Sequence, residues 1–302
     1  MQMEFDRELY IRSVVDTRLW VASVGRGPTV VLCDGLGCDG YIWKHILPDL
    51  KRDFHVVRWH YRGHGRSEAP TDLTRMTVEG LVDDLHTVLD ELGIDEAILL
   101  GHSMGVQVIL EAALQPRGDR FTGLVALCGA PGRPLDTFKN TRLGLRIFPL
   151  LQQAADKWPR LAREFWSVAV PSPVSISLAH WFEINRFLVG VDELRPYLDR
   201  LADMDPRVFL AMLDDASRHT CEARLNELQI PALVVAAQRD TFTPMFRSRT
   251  MHERIASSEF FILPEATHTG PLEWPELLNL RIRKWMANHR LNPESGRSLQ
   301  TG

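Results

Sequence analysis

The chain has 302 residues, 45% of them apolar and 25% charged, with 35 basic and 39 acidic side chains for a formal net charge of −4. That balance supplies a full core and carries no electrostatic footprint for nucleic acid. No run of about 18 apolar residues exists, so no membrane-spanning helix is expected, and the acidic opening MQMEFDRELY lacks the basic start and apolar centre of a signal peptide, which points to the cytoplasm.

Taken in chain order, short apolar runs alternate with helical patterns. TVVLCDG (29–35) reads as a buried strand, and HVVRWHY (55–61) as a second that stops before Arg62 and Gly63. Val78, Leu81, Val82, Leu85, Val88, Leu89 and Leu92 recur at spacings of three and four, which predicts a helix that Gly93 ends. EAILLGH (96–102) is a third strand, and the nearly all-round apolar stretch from Met104 to Gln115 is expected to be a buried helix. GLVALCG (123–129), PALVVAAQRD (231–240) and EFFILPEATH (259–268) follow as strands. A closing helix starts at Pro275 with Leu278, Ile282, Trp285 and Met286 on one face.

Continuous apolar strands separated by helices argue for a parallel sheet covered on both faces. The alternation stops between 132 and 221, where helical patterns and Pro breaks such as VAVPSPVS (168–175) occur without convincing strands. The chain therefore divides into a core, 1–131 and 222–292, a helical insertion, 132–221, and a polar tail, 293–302, expected to be mobile. The four cysteines, Cys33, Cys38, Cys128 and Cys221, form no CxxC pair and no cluster with metal-ligand spacing, so free thiols are expected, with no metal and no cofactor.

The chemistry centres on GHSMG (101–105), placed between a predicted strand and a predicted helix. Gly-x-Ser-x-Gly alone is weak evidence; between strand and helix it describes a sharp turn that needs small neighbours and lifts a serine to the helix N-terminus, where amide dipoles favour negative charge. A serine hydroxyl attacks only when a base takes its proton. His268 follows the last predicted strand and Asp240 the one before it, at strand ends where open α/β sheets bind ligands. The order Ser103, Asp240, His268 makes them nucleophile, orienting acid and base. His102 adjoins the serine, but the turn that presents Ser103 should direct its neighbour's side chain elsewhere. Asp214 and Asp215 lie on a predicted helix as solvated charges. The Met104 amide, directly after the serine, and the Leu36 amide, in the loop DGLGCDG after the first strand, are the expected oxyanion donors.

DGLG (34–37), YRGHGRS (61–67), GHSMG (101–105), RDTFTP (239–244) and ATHTGPLEWPE (266–276) occur in the order and at the spacing of the α/β-hydrolase fold, and over residues 8 to 290 the chain resembles that family. The resemblance implies a mostly parallel central sheet flanked by helices, with the family's cap domain falling on 132–221. It departs at Asp34, where the family commonly has His, and at His60, where Asp is frequent; His60 and His64 are read as turn residues rather than catalysts. Members with an aspartate nucleophile, the dehalogenases and epoxide hydrolases, do not fit Ser103. Carbon–carbon bond hydrolases, lactonases, thioesterases, acyltransferases and receptors that keep the fold share these motifs. Carboxylic-ester hydrolysis is the commonest outcome of such a serine constellation. The insertion is aromatic-rich and nearly charge-balanced, which suits an uncharged apolar ester of short to medium acyl length, with Trp166 and Trp181 as candidate pocket residues.

Overall fold

A computed structural model describes residues 4–136, 143–175, 177, 185 and 189–292; the predicted tail and Trp181 lie outside them. Eight strands form one sheet: β1 (Arg7–Arg12), β2 (Arg18–Val24), β3 (Thr29–Cys33), β4 (His55–Trp59), β5 (Ala97–His102), β6 (Phe121–Leu127), β7 (Ala232–Ala237) and β8 (Ser258–Leu263). Their order across the sheet is β1-β2-β4-β3-β5-β6-β7-β8. From β4 to β8 every neighbouring pair is parallel, whereas β1–β2 and β2–β4 are antiparallel. Each of the six expected strands is present, most of them ending before the apolar run does, so that Asp34, Cys128, Asp240 and His268 all fall in loops just beyond strand ends.

The N-terminal hairpin β1–β2 was not expected from the sequence. β1 (RELYIR) is an edge strand exposed along most of its length, and β2 (RLWVASV) is buried at six consecutive positions, so neither shows the apolar–polar alternation that marks a strand buried on one face.

Helices cover the sheet: α1 (Leu47–Leu50), α2 (Val78–Glu91), α3 (Met104–Leu114), α8 (Met245–Arg254), α9 (Gly270–Glu273) and α10 (Pro275–Asn288). α2 starts at Thr77, whose side chain accepts the Gly80 N–H at 2.9 Å, and the carboxylate of Asp215 accepts the Val78 N–H at 2.7 Å. Asp215 is therefore a helix cap reaching across from another element, not a solvated charge, while Asp214 pairs with Arg218. α3 is buried at nine of its eleven residues, as an all-round apolar helix must be. In α10 the four expected core residues Leu278, Ile282, Trp285 and Met286 are all buried.

Between 132 and 221 the described residues include four long α-helices, α4 (Leu143–Lys157), α5 (Pro159–Ala169), α6 (Val191–Asp203) and α7 (Pro206–Arg218), and no named strand. The segment leaves and rejoins the core at a neck: Gly132 and Thr220 form an antiparallel bridge, and the Cys221 N–H donates to Pro131 O at 3.0 Å. The YRGHGRS segment is a run of turns, buried at most of its positions. Arg62 makes a two-pronged ion pair with Asp84 of α2 at 2.6 and 2.7 Å, and Ser67 ties the Trp20 N–H to His60 O. His60 and His64 are buried within it, and burial holds the His64 imidazole down to about 4, hence neutral.

Candidate active site

Why two glycines flank Ser103 follows from how closely α3 crosses β5. A Cβ on Gly101 would lie 2.4 Å from Gly105 O, and one on Gly105 would lie 2.2 Å from Cys33 O. No side chain fits either position. Ser103 itself sits at φ 56°, ψ −119°, outside the regions an L-residue prefers. Such a conformation costs about 1–3 kcal/mol and persists only where the surroundings impose it. Here the Ser103 N–H donates to Leu127 O at 3.1 Å, and Gly35 and Gly129 close around it, where added Cβ atoms would come 3.1 Å from Ser103 Cβ and 2.7 Å from Ser103 O.

The strained turn aims the hydroxyl at His268. Ser103 Oγ and His268 Nε2 are 2.8 Å apart, and His268 Nδ1 and Asp240 Oδ2 are 2.9 Å apart. Three residues spread over 165 positions of chain thus form one hydrogen-bonded row. Asp240 is fixed in turn: its Oδ1 accepts the N–H groups of Phe242 (2.9 Å) and Thr243 (2.8 Å), and the Thr243 hydroxyl lies 2.8 Å from Oδ2 and 2.9 Å from Cys128 O. With Oδ1 saturated by backbone donors, Oδ2 is the oxygen that meets the imidazole, which sets the proton on His268 Nδ1 and leaves Nε2 as the acceptor toward Ser103.

His102 is buried, and its Nε2 donates to the backbone carbonyl of His268 at 3.0 Å. Burial, aided by the neighbouring His268, holds it down to about 3, so it is neutral. It ties the strand bearing the serine to the loop bearing the histidine. A second brace was not read from the sequence. The buried carboxylate of Glu273 accepts the Thr267 N–H (2.7 Å), the Thr267 hydroxyl (2.6 Å), the Thr269 hydroxyl (3.0 Å) and the Asn185 N–H (2.8 Å), fixing the residues on either side of His268. Its signal was present in ATHTGPLEWPE, where an acidic residue five positions after the histidine faces two threonines.

Leu36 and Met104 both line the cavity that opens above Ser103. Among the described residues neither N–H is paired with a backbone carbonyl, since Leu36 lies in a turn before Gly37 (φ 73°) and Met104 opens α3. Below this loop Asp34 is buried, accepting the Trp43 indole N–H at 2.5 Å through Oδ1, while Oδ2 has no partner. Burial raises its carboxyl to about 7 despite nearby Arg58.

The cavity encloses about 470 Å³, within the range of small-molecule sites. Its floor is Gly35, Leu36, His102, Ser103, Met104 and His268; its roof is Tyr197, Leu198, Leu201, Phe209, Leu213 and Ala216 from α6 and α7. Among the described residues that line it, none is Lys, Arg, Asp or Glu. Trp166 stands behind the roof: its indole N–H donates to Leu201 O at 2.8 Å and its ring packs 5.1 Å from that of Phe209. Cys38 also lines the cavity, and all four cysteines are free.

The alpha/beta hydrolase fold family model matches residues 28–275. The chain belongs to the alpha/beta hydrolase fold family. Among curated relatives, the bifunctional epoxide hydrolase 2 of Mus musculus is 24% identical over 94% of this chain, which spans 56% of that protein's length. The 3-oxoadipate enol-lactonase 1 of Acinetobacter baylyi is 24% identical over 82% of this chain and 85% of its own. Among solved structures, a thermophilic esterase from Thermogutta terrifontis superposes with a TM-score of 0.76 at 23% identity, covering 94% of this chain and 99% of that one. The enol-lactonase from Burkholderia xenovorans LB400 gives 0.73 at 20% identity, covering 92% and 100%. This alpha/beta hydrolase has no described helix long and apolar enough to cross a membrane.

Proposed function

We propose that the protein is a serine hydrolase of carboxylic esters with apolar acyl groups of short to medium length. The observation that carries the reading is the row Ser103–His268–Asp240, with separations of 2.8 and 2.9 Å, opening into a cavity whose described lining residues include no Lys, Arg, Asp or Glu. Ser103 Oγ attacks the ester carbonyl as its proton passes to His268 Nε2. The tetrahedral oxyanion is met by the N–H groups of Leu36 and Met104. Collapse expels the alcohol, which takes the proton back from His268, and leaves an acyl group on Ser103. Water, deprotonated by the same imidazole, then releases the acid. Asp240 holds the imidazole in the tautomer both halves require and stabilises the imidazolium. In this reading 1–131 and 222–292 carry the chemistry, and 132–221 acts as a cap that supplies the pocket roof.

An uncharged wall favours burial of carbon over capture of a charged carrier. Each methylene taken from water contributes about 0.8 kcal/mol, nearly fourfold in kcat/KM if the transition state feels it in full. A nitrophenyl ester series should therefore climb with acyl length until the cavity is filled and then fall. Lactone opening is the second reading, favoured by the similarity to enol-lactonases, and it uses the same attack on a cyclic ester. The experiment is kcat/KM across the ester series beside thioesters, lactones and a vinylogous diketone. A flat ester profile with far faster cleavage of a lactone or diketone would overturn the ester assignment.

A further inference from the structure

The loop that carries Leu36 is held from two sides. On the core side, Trp43 binds Asp34, and the Arg58 guanidinium lies so close to Gly40 (φ 86°) that a Cβ there would sit 1.9 Å from its Nε. The Arg66 N–H donates to His60 Nδ1 at 2.8 Å, so the His60 proton is on Nε2 and is given to Asp39 O at 3.2 Å.

On the outer side stands one face of helix α6. Tyr197 lies four residues after Glu193, and Arg200 and Leu201 lie three and four after Tyr197, which places them on a single stripe. Each meets a different residue of the 37–44 segment. Leu201 fills the space over Gly37, where a Cβ would come 2.7 Å from its Cδ1. Tyr197 stands beside Cys38 on the cavity wall. Arg200 Nη1 reaches both oxygens of Asp39, at 2.8 and 3.0 Å. Glu193 receives Tyr41 OH on its carbonyl and pairs its carboxylate with Lys44.

We propose that helix α6 clamps the oxyanion loop, and that Arg200 is a positioning residue acting through Asp39 on the Leu36 amide. The inference rests on the reading that this amide serves the oxyanion. It makes the insertion more than a pocket roof, because seating α6 on the core and aligning the donor become one event. Misplacing a donor by an ångström can cost up to about a hundredfold in rate. Arg200 is one contact of four and its side chain is 53% exposed against 15% for Asp39, so the expected loss is smaller, about fivefold to tenfold.

The test compares Arg200→Gln, Arg200→Lys, Asp39→Asn and the Asp39→Asn/Arg200→Gln double variant. Two readouts are taken: kcat and KM on nitrophenyl acetate, too small to need the cap's apolar wall, and hydrogen exchange of the Cys38 and Trp43 amides, which are bonded to Gly35 O and Gly40 O. The clamp predicts a lower kcat with KM within about twofold. It also predicts partial rescue by lysine, a double variant no worse than Arg200→Gln or Asp39→Asn alone, and faster exchange in both of these. Unchanged kcat overturns the positioning role whether or not exchange changes, and so do additive losses or a change confined to KM. If the unaltered protein turns over no ester while exchange still accelerates in Arg200→Gln, the clamp stands and the ester reading fails.

Discussion

Replacing Asp240 by Asn removes one charge and almost no volume, and the surrounding bonds dictate which way the new amide points. The position now held by Oδ1 accepts two backbone N–H groups, from Phe242 and Thr243, so the Asn carbonyl must take it. Its NH₂ then occupies the Oδ2 position, 2.9 Å from His268 Nδ1. An N–H aimed at Nδ1 makes that nitrogen an acceptor and moves the imidazole proton to Nε2, where it faces Ser103 Oγ and cannot take its proton. The Thr243 hydroxyl can still donate to Cys128 O while accepting from the new amide, so the loop keeps its bonds. Loss of the correct tautomer together with the charge opposite the imidazolium is worth about 10⁴ in turnover, or about 5.5 kcal/mol of transition-state stabilisation. The assay is kcat on a nitrophenyl ester with circular dichroism and thermal melting as controls for folding. A folded Asp240→Asn protein within tenfold of the unaltered rate would refute the argument.

Glu273→Gln should lower kcat about tenfold or more with a smaller change in KM, because an NH₂ group would meet donors around His268; equal loss in a variant of an exposed glutamate such as Glu265 would contradict this. His102→Gln should make the protein less acid-sensitive. With a folded value of about 3 against 6.5 when unfolded, the neutral His102 contributes stability that is complete above pH 6.5 and is lost as pH falls toward 3. Urea titrations should show the fall from pH 7 to pH 5 to be smaller by about 2 kcal/mol in the variant, and an equal or larger fall would count against a neutral His102. Asp215→Ala should cost about 1 kcal/mol through the lost cap on α2, whereas Asp214→Ala should change stability by less than about 0.5 kcal/mol; the reverse order in denaturant midpoints would sink the cap assignment.

The central strands and the elbow were legible because β3, β5, β6 and β7 lie in the middle of the sheet and must be apolar on both faces. The same burial required glycine at 101 and 105, so Ser103 stood out between them. Asp240 and His268 could be read from their places just past strand ends. What escaped is what depends on contacts distant in sequence. β1 is an edge strand and borrows its order from β2, so its own composition is nearly that of a loop. Asp215 looks solvated until Val78, 137 positions away, is seen to donate to it. Trp166 reads as a pocket residue from the aromatic content of the insertion, and only the packing of α5 against α6 and α7 places Phe209 between it and the cavity. Arg200 is an ordinary helical arginine in the sequence, and its role depends on where α6 lies against the loop after β3.

The account turns on Ser103 as the nucleophile. The most direct measurement titrates the protein with a small fluorophosphonate, follows nitrophenyl ester turnover, and maps the adduct by peptide mass spectrometry. One phosphonyl group per chain should appear, on the peptide containing Ser103, with turnover falling in proportion and reaching zero at full occupancy. Turnover that survives complete modification of Ser103, or an adduct elsewhere that accounts for the loss, would contradict the account.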